Sequence, residues 1–102
     1  MTKLIENNLN EIIHLCKTHR VESFAVFGSA ANSSMHENSD IDFLVQFSND
    51  IDVLEYAANY FSFLEELENL MGKKIDLVSK KSLKNPILIE EISRSKVDLY
   101  AA

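Results

Sequence analysis

Cysteine is almost absent from this 102-residue chain, where Cys16 stands alone. That excludes an internal disulfide, and one thiol inside a helical pattern fits core packing in a reducing compartment. Positive charge is short too: ten Lys and Arg face sixteen Asp and Glu, a net charge of −6. A protein that grips a nucleic-acid backbone needs a basic surface, so direct nucleic-acid binding is not expected. A nucleotide held through a metal ion stays open. No apolar run approaches the roughly 20 residues of a membrane span, and no secretory leader pattern opens the chain. A cytoplasmic protein is expected. Glycine and proline are scarce as well, only Gly28, Gly72 and Pro86, so each should mark a backbone geometry that the fold requires.

What is present is an ordinary globular mixture, 46% hydrophobic and 25% charged. There is no linker and no low-complexity tract, so one domain is expected over 1–102, with one modest core. Ile5, Leu9, Ile12 and Cys16 recur on one face and predict a helix over 4–19. The run SFAVF (23–27) reads as a strand covered on both faces, and IDFLVQF (41–47) as a second. A long helix follows, with Leu54, Ala58, Phe61, Leu64, Leu67 and Met71 along one side and Gly72 as its C-terminal cap. KKIDLV (73–78) is a third strand. Asn85-Pro86 starts a short helix over 87–93, Asn as N-cap and Pro in the first turn, and KVDLY (96–100) closes the chain as a strand. Helices and a small sheet alternate, so the fold class is α/β or α+β.

Alternation along a strand puts Asp40 and Asp42 on one face, roughly 6–7 Å apart. They repel each other, and a divalent cation relieves that repulsion; Mg²⁺ favours one or two carboxylates plus substrate phosphates. The spacing alone is weak evidence, because acidic residues at a wet strand start look the same. The chain carries its own control. DID recurs at 50–52, where Asp50 can cap the long helix and Asp52 can meet the positive end of its dipole. Only the first copy follows a Gly-Ser pair, Gly28-Ser29, at the end of an apolar strand. That pair is either an ordinary turn or a place where backbone N–H groups and a hydroxyl meet a phosphate. Asp76 adds a carboxylate on a third strand, enough for a two-metal site of the kind used in phosphoryl and nucleotidyl displacement.

FGS at 27–29, SDIDFLV at 39–45 and KKIDLVSKKSLKNP at 73–86 together resemble the nucleotidyltransferase superfamily that includes DNA polymerase beta, specifically its minimal single-domain members. The resemblance runs from about residue 20 to the C-terminus, and its specific part is the spacing from Gly-Ser to Asp-x-Asp with a later third Asp. It implies a polymerase beta-like fold and a Mg²⁺-dependent transferase acting on ATP. Asp40 and Asp42 would ligate two Mg²⁺ ions, Asp76 would join one and help position or deprotonate the attacking hydroxyl, and Gly28 and Ser29 would hold the β- and γ-phosphates. Minimal members are typically antitoxins of HEPN-domain ribonuclease toxins, several of which they silence by transferring AMP onto a tyrosine.

This chain departs from the family where an Arg-Ala-Arg-Gly-like run normally follows Gly-Ser. Ala30, Ala31, Asn32 and Ser33 stand there instead, which motivates a second reading: a catalytically weak module of the same fold that neutralises its toxin by occlusion. Lys73, Lys74, Lys80, Lys81 and Lys84 gather around the third strand, either as a solvated face or as an electrostatic substitute for those arginines. Asp98 rivals Asp76 as the third carboxylate. His14, His19 and His36 show no metal spacing, although His36 precedes Asp40 in the same loop. Tyr56, Tyr60 and Tyr100 read as packing or interface residues. Apolar residues off the main stripe of the long helix (Tyr60, Phe63, Leu70) leave room for a homo-dimer or for burial against a partner.

Overall fold

The computed structural model describes residues 1–32 and 39–102. Its elements are α1 (Lys3–Asn7), α2 (Leu9–Thr18), β1 (Val21–Phe27), a 3₁₀ turn (Gly28–Ala30), β2 (Ile41–Phe47), α3 (Val53–Met71), β3 (Ile75–Ser79), a second 3₁₀ turn (Lys80–Ser82), α4 (Pro86–Ser95) and β4 (Val97–Ala101). The four strands form one mixed sheet in the order β3-β2-β1-β4. β1 runs antiparallel to both its neighbours, whereas β2 and β3 run parallel and are joined through α3. Small mixed α/β architecture is what the alternating pattern called for.

Pleating divides β2 between two layers. Ile41, Phe43, Val45 and Phe47 enter the main core with Ile5, Ile12 and Cys16 from the first two helices and Phe63, Leu67 and Met71 from α3. Phe24 stacks on Phe43 at 4.6 Å between ring centroids and meets Phe63 edge-on at 5.2 Å. Each buried side chain of this size contributes about 1.5–3 kcal/mol on leaving water. On the other face Ala25 and Leu44 meet Ile92 of α4, with Phe27, Val78 and Leu83 alongside. The carboxylate of Asp42 belongs to this thinner layer.

Three expectations change in detail. The first helix is two helices, broken at Asn8, whose side-chain amide donates back to the Leu4 carbonyl at 2.8 Å. The cap of α3 is Asp52, which accepts from Glu55 N at 2.9 Å; Asp50 instead accepts from the Ser48 hydroxyl and pairs with Arg20. The core-facing side of α3 is Phe63, Leu67 and Met71, flanked by Tyr56 and Tyr60, while Leu54, Ala58 and Phe61 of the expected stripe are exposed. The periodicity is right for a helix, but two apolar faces satisfy it and the sheet selects one. Asn85 caps α4 as expected, accepting from Ile87 N at 2.9 Å, and that helix extends to Ser95. Gly72 takes the left-handed conformation at the end of α3.

Candidate active site

The site is built where β1 ends and β2 begins. Phe27, the last residue of β1, lies opposite Asp42. The chain then turns at Gly28, whose φ of +70° lies in the left-handed region that a side chain disfavours. A Cβ on Gly28 would stand 2.6 Å from Oδ2 of Asp42. The glycine therefore serves two needs at once, the sharp exit from β1 and the close approach of backbone to carboxylate. Ser29 follows inside the 3₁₀ turn, half-buried, and the turn is tied down where Thr2 N donates to Ala30 O at 3.1 Å and Ala31 N to Gly28 O at 3.1 Å.

Parallel pairing supplies the second carboxylate. Asp42 and Asp76 are register partners on β2 and β3, which puts their backbones about 4.8 Å apart with side chains on the same face. Asp40, just before β2, is exposed, as is Asp76, whereas Asp42 is half-buried. Burial pushes the Asp42 carboxyl above its ordinary 3.8. The charge of Asp76, a hydrogen bond with the Asp76 carboxyl and the charge of Asp40 push it further the same way. The second DID behaves oppositely. Asp50 is lowered, first by the Ser48 hydroxyl and then by Arg20. One copy lies in a surplus of negative charge; the other is compensated.

Asp98 lies across the sheet on β4, opposite Ala25, with Lys96 Nζ 2.7 Å from its Oδ1. β1 intervenes between it and Asp42, so Asp76 is the carboxylate brought to Asp42. The five lysines do not form one patch: Lys73 and Lys74 precede β3 at the carboxylate end, while Lys80, Lys81 and Lys84 follow it at the other end. His19 is buried, its Nε2 2.9 Å from Glu66 and 3.1 Å from the Ser62 hydroxyl, and plays a packing role between α2 and α3. His36 and Ser33 lie outside the described residues.

Two side chains near the site carry no sequence signal for it. Glu68 accepts from Ile75 N at 3.1 Å and the Tyr60 hydroxyl donates to Leu77 O at 2.5 Å. Together they hold the outer edge of β3, the strand that presents Asp76. On a helix, a glutamate and a tyrosine at these positions read as solvated and packing residues. Tyr60 is held above the usual phenol range by burial, by Tyr56 and by Asp76.

The carboxylates are hard oxygen donors of the kind Mg²⁺ takes. Among the described residues no group of three or more His, Cys, Asp or Glu converges closely enough to hold a metal ion unaided. The register pair Asp42–Asp76 offers two such donors, and the charges of Asp76 and Asp40 raise the Asp42 carboxyl. Among the described residues no helix is long and apolar enough to cross a membrane.

The family model for polymerase beta nucleotidyltransferases matches residues 10–102. A candidate protein adenylyltransferase of Methanocaldococcus jannaschii is 34% identical over 97 residues, covering 87% of this chain and 95% of that protein. Among solved structures, a chain of a toxin–antitoxin crystallised with AMP-PNP is similar with a TM-score of 0.73, at 24% identity over 93% of this chain and 74% of that one. A chain of the complex between the tri-AMPylated HEPN toxin of Shewanella oneidensis and its MNT antitoxin has a TM-score of 0.66, at 20% identity over 95% and 72%. These two likenesses establish the shared fold.

Proposed function

This chain belongs to the polymerase beta nucleotidyltransferase family, and on that footing we propose that it transfers AMP from ATP to a hydroxyl of a HEPN-type ribonuclease toxin, acting as its antitoxin. The observation that carries the reading is the register pair Asp42–Asp76 beside the Gly28 turn. The name of the M. jannaschii relative supports protein adenylylation. The two fold neighbours, one with AMP-PNP and one with an AMPylated HEPN toxin, support the nucleotide and the partner.

In this reading Asp40, Asp42 and Asp76 hold Mg²⁺, which when bound neutralises the triphosphate and the charge that develops on the leaving oxygens. Gly28 and Ser29 present backbone N–H groups and a hydroxyl to the β- and γ-phosphates. The acceptor oxygen attacks the α-phosphorus, the bond from that phosphorus to the bridging oxygen of the β-phosphate breaks, and pyrophosphate leaves. Asp76, the more exposed of the register pair, faces the acceptor and takes its proton. Asp42, half-buried, stays a ligand.

The test is transfer of label from α-labelled ATP to the toxin encoded with this chain, in Mg²⁺. Label should appear on the toxin with wild-type protein and fall at least about 100-fold with Asp42→Asn, in the range of losing a preorganised electrostatic contact. The replacement of the family's arginines by Ala30, Ala31 and Asn32 favours a second reading, neutralisation by occlusion. Under it Asp40→Asn with Asp42→Asn still silences the toxin; under the first reading the double variant releases toxin activity.

A further inference from the structure

β3 is an edge strand, with β2 on one side and, among the described residues, no strand on the other. Such an edge leaves a row of backbone groups without a strand to pair them. α3 answers that row with side chains. Tyr56, Tyr60 and Glu68 lie along one face of the helix, with Leu64 between them packed on the main core. They meet β3 in reverse order. The Tyr56 hydroxyl donates to the Ser79 hydroxyl at 3.0 Å and the Tyr60 hydroxyl to Leu77 O at 2.5 Å, and Glu68 Oε2 accepts from Ile75 N at 3.1 Å. Ile75 and Leu77 are the two neighbours of Asp76 in the chain.

The Glu68 contact reaches further than Ile75. The N–H of Ile75 and the C=O of Lys74 belong to one peptide group, and Lys74 O accepts from Ile41 N at 3.1 Å. Ile41 stands between Asp40 and Asp42. A single peptide is thus gripped from both sides, by a half-buried carboxylate of α3 and by the first residue of β2. Hydrogen bonds in series polarise one another, and a charged acceptor on the N–H makes the carbonyl opposite it a better acceptor. The position of this relay matters. The pairing of β2 with β3 begins at Ile41↔Ile75, and the next pair is Asp42↔Asp76. Like charges strain the ladder one step in from its end, and the relay fastens that end.

We infer that Glu68 is a positioning residue for the carboxylate pair: through the Lys74–Ile75 peptide it fixes where Asp76 stands relative to Asp42. Tyr60 does the same from the other side of Asp76. Neither side chain touches the nucleotide or the acceptor. The inference rests on the metal-binding reading of Asp40, Asp42 and Asp76 given above, and adds to it the residues that hold those ligands at a common distance.

The test is a Mg²⁺ titration of the full chain with ATP in fixed excess, followed by melting temperature. Glu68→Ala should raise the Mg²⁺ concentration for half of the melting-temperature rise by about 10-fold, the low end for a group that orients a metal ligand. Glu68→Gln keeps an oxygen that accepts from Ile75 N and should stay within about 3-fold of wild type. In an Asp76→Asn background Glu68→Ala should add less than about 2-fold, because the carboxylate it places is gone. If Glu68→Ala does not melt cooperatively, Tyr60→Phe gives the same comparison, with an expected shift of about 5-fold for one hydrogen bond. A Glu68→Ala protein that melts lower yet needs no more Mg²⁺ overturns the inference and leaves the transferase reading standing. So does an undiminished effect of Glu68→Ala in the Asp76→Asn background. A wild type that neither gains stability from Mg²⁺ with ATP nor labels its toxin removes the transferase reading and the inference together.

Discussion

At the scale of single residues, the two glycines separate what a backbone needs from what a site needs. Both have φ near +70°, Gly28 at +70° and Gly72 at +65°. Alanine in that region costs about 1–2 kcal/mol, so Gly28→Ala and Gly72→Ala should both lower stability in a denaturant titration, Gly28→Ala by more. At Gly72 nothing stands within 4 Å of the new Cβ, whereas at Gly28 it meets the Asp42 carboxylate, which must swing aside. Only Gly28→Ala should therefore lose stabilisation by Mg²⁺ and ATP, read as the shift in melting temperature. Asp42 gives a second test. Its pKa is raised in the folded state, so the folded protein holds that proton more tightly than the unfolded chain, and the stability linked to it is lost as pH rises above about 4. Asp42→Asn should then be more stable than wild type at pH 7 without ligand, read as a higher melting temperature. That advantage should fade by pH 3, where both states of the wild type are protonated. A variant no more stable than wild type at pH 7 would refute the charge surplus around Asp42.

Elements show which parts of the molecule the chain announces. Asn85-Pro86 announces a helix start through local chemistry, because the Asn side chain answers a backbone N–H two residues on. Asn85→Ala should cost about 1 kcal/mol, measured by denaturant midpoint, while Asn85→Asp should be nearly neutral. Strand identity is equally local: β2 was legible as 41–47, and the positions of Gly28, Ser29, Asp40, Asp42 and Asp76 at strand ends could be read from the sequence. What local pattern does not carry is the choice between equivalents. Two apolar faces run along α3, and Tyr60 reaching Leu77 O while Phe63 fills the space against Phe24 decides which one is buried. Likewise Asp76 and Asp98 share a local pattern, and only the strand order places one beside Asp42 and the other beyond β1. The cap of α3 falls on Asp52, while Asp50 takes the Ser48 hydroxyl and Arg20, which is distant in sequence. The half of the α3 stripe that the sheet rejects is the half left exposed as Leu54 and Phe61.

For the molecule as a whole, one sheet carries an apolar layer on each of its faces, so the site and the far helices should open together. Cys16 reports on that event. It is wholly buried in the main core, and burial pushes its thiol up to about 12. A thiol so placed does not react until the core opens, and its modification rate at fixed pH follows the population of the open state when reclosing is fast. A ligand that binds only the folded protein lowers that population by the factor 1 + [L]/Kd. Mg²⁺ with ATP at about 100 times Kd should therefore slow labelling of Cys16 by about 100-fold, equivalent to about 2.7 kcal/mol. The thiol lies in the main core, on the face of the sheet opposite the Asp42 side chain, so direct shielding by the nucleotide does not account for such a change. Asp42→Asn with Mg²⁺ and ATP should label at its own ligand-free rate. Equal slowing in wild type and Asp42→Asn would place the nucleotide elsewhere on the molecule, and no slowing in either, at millimolar ligand, would leave the fold as a binding module without its nucleotide.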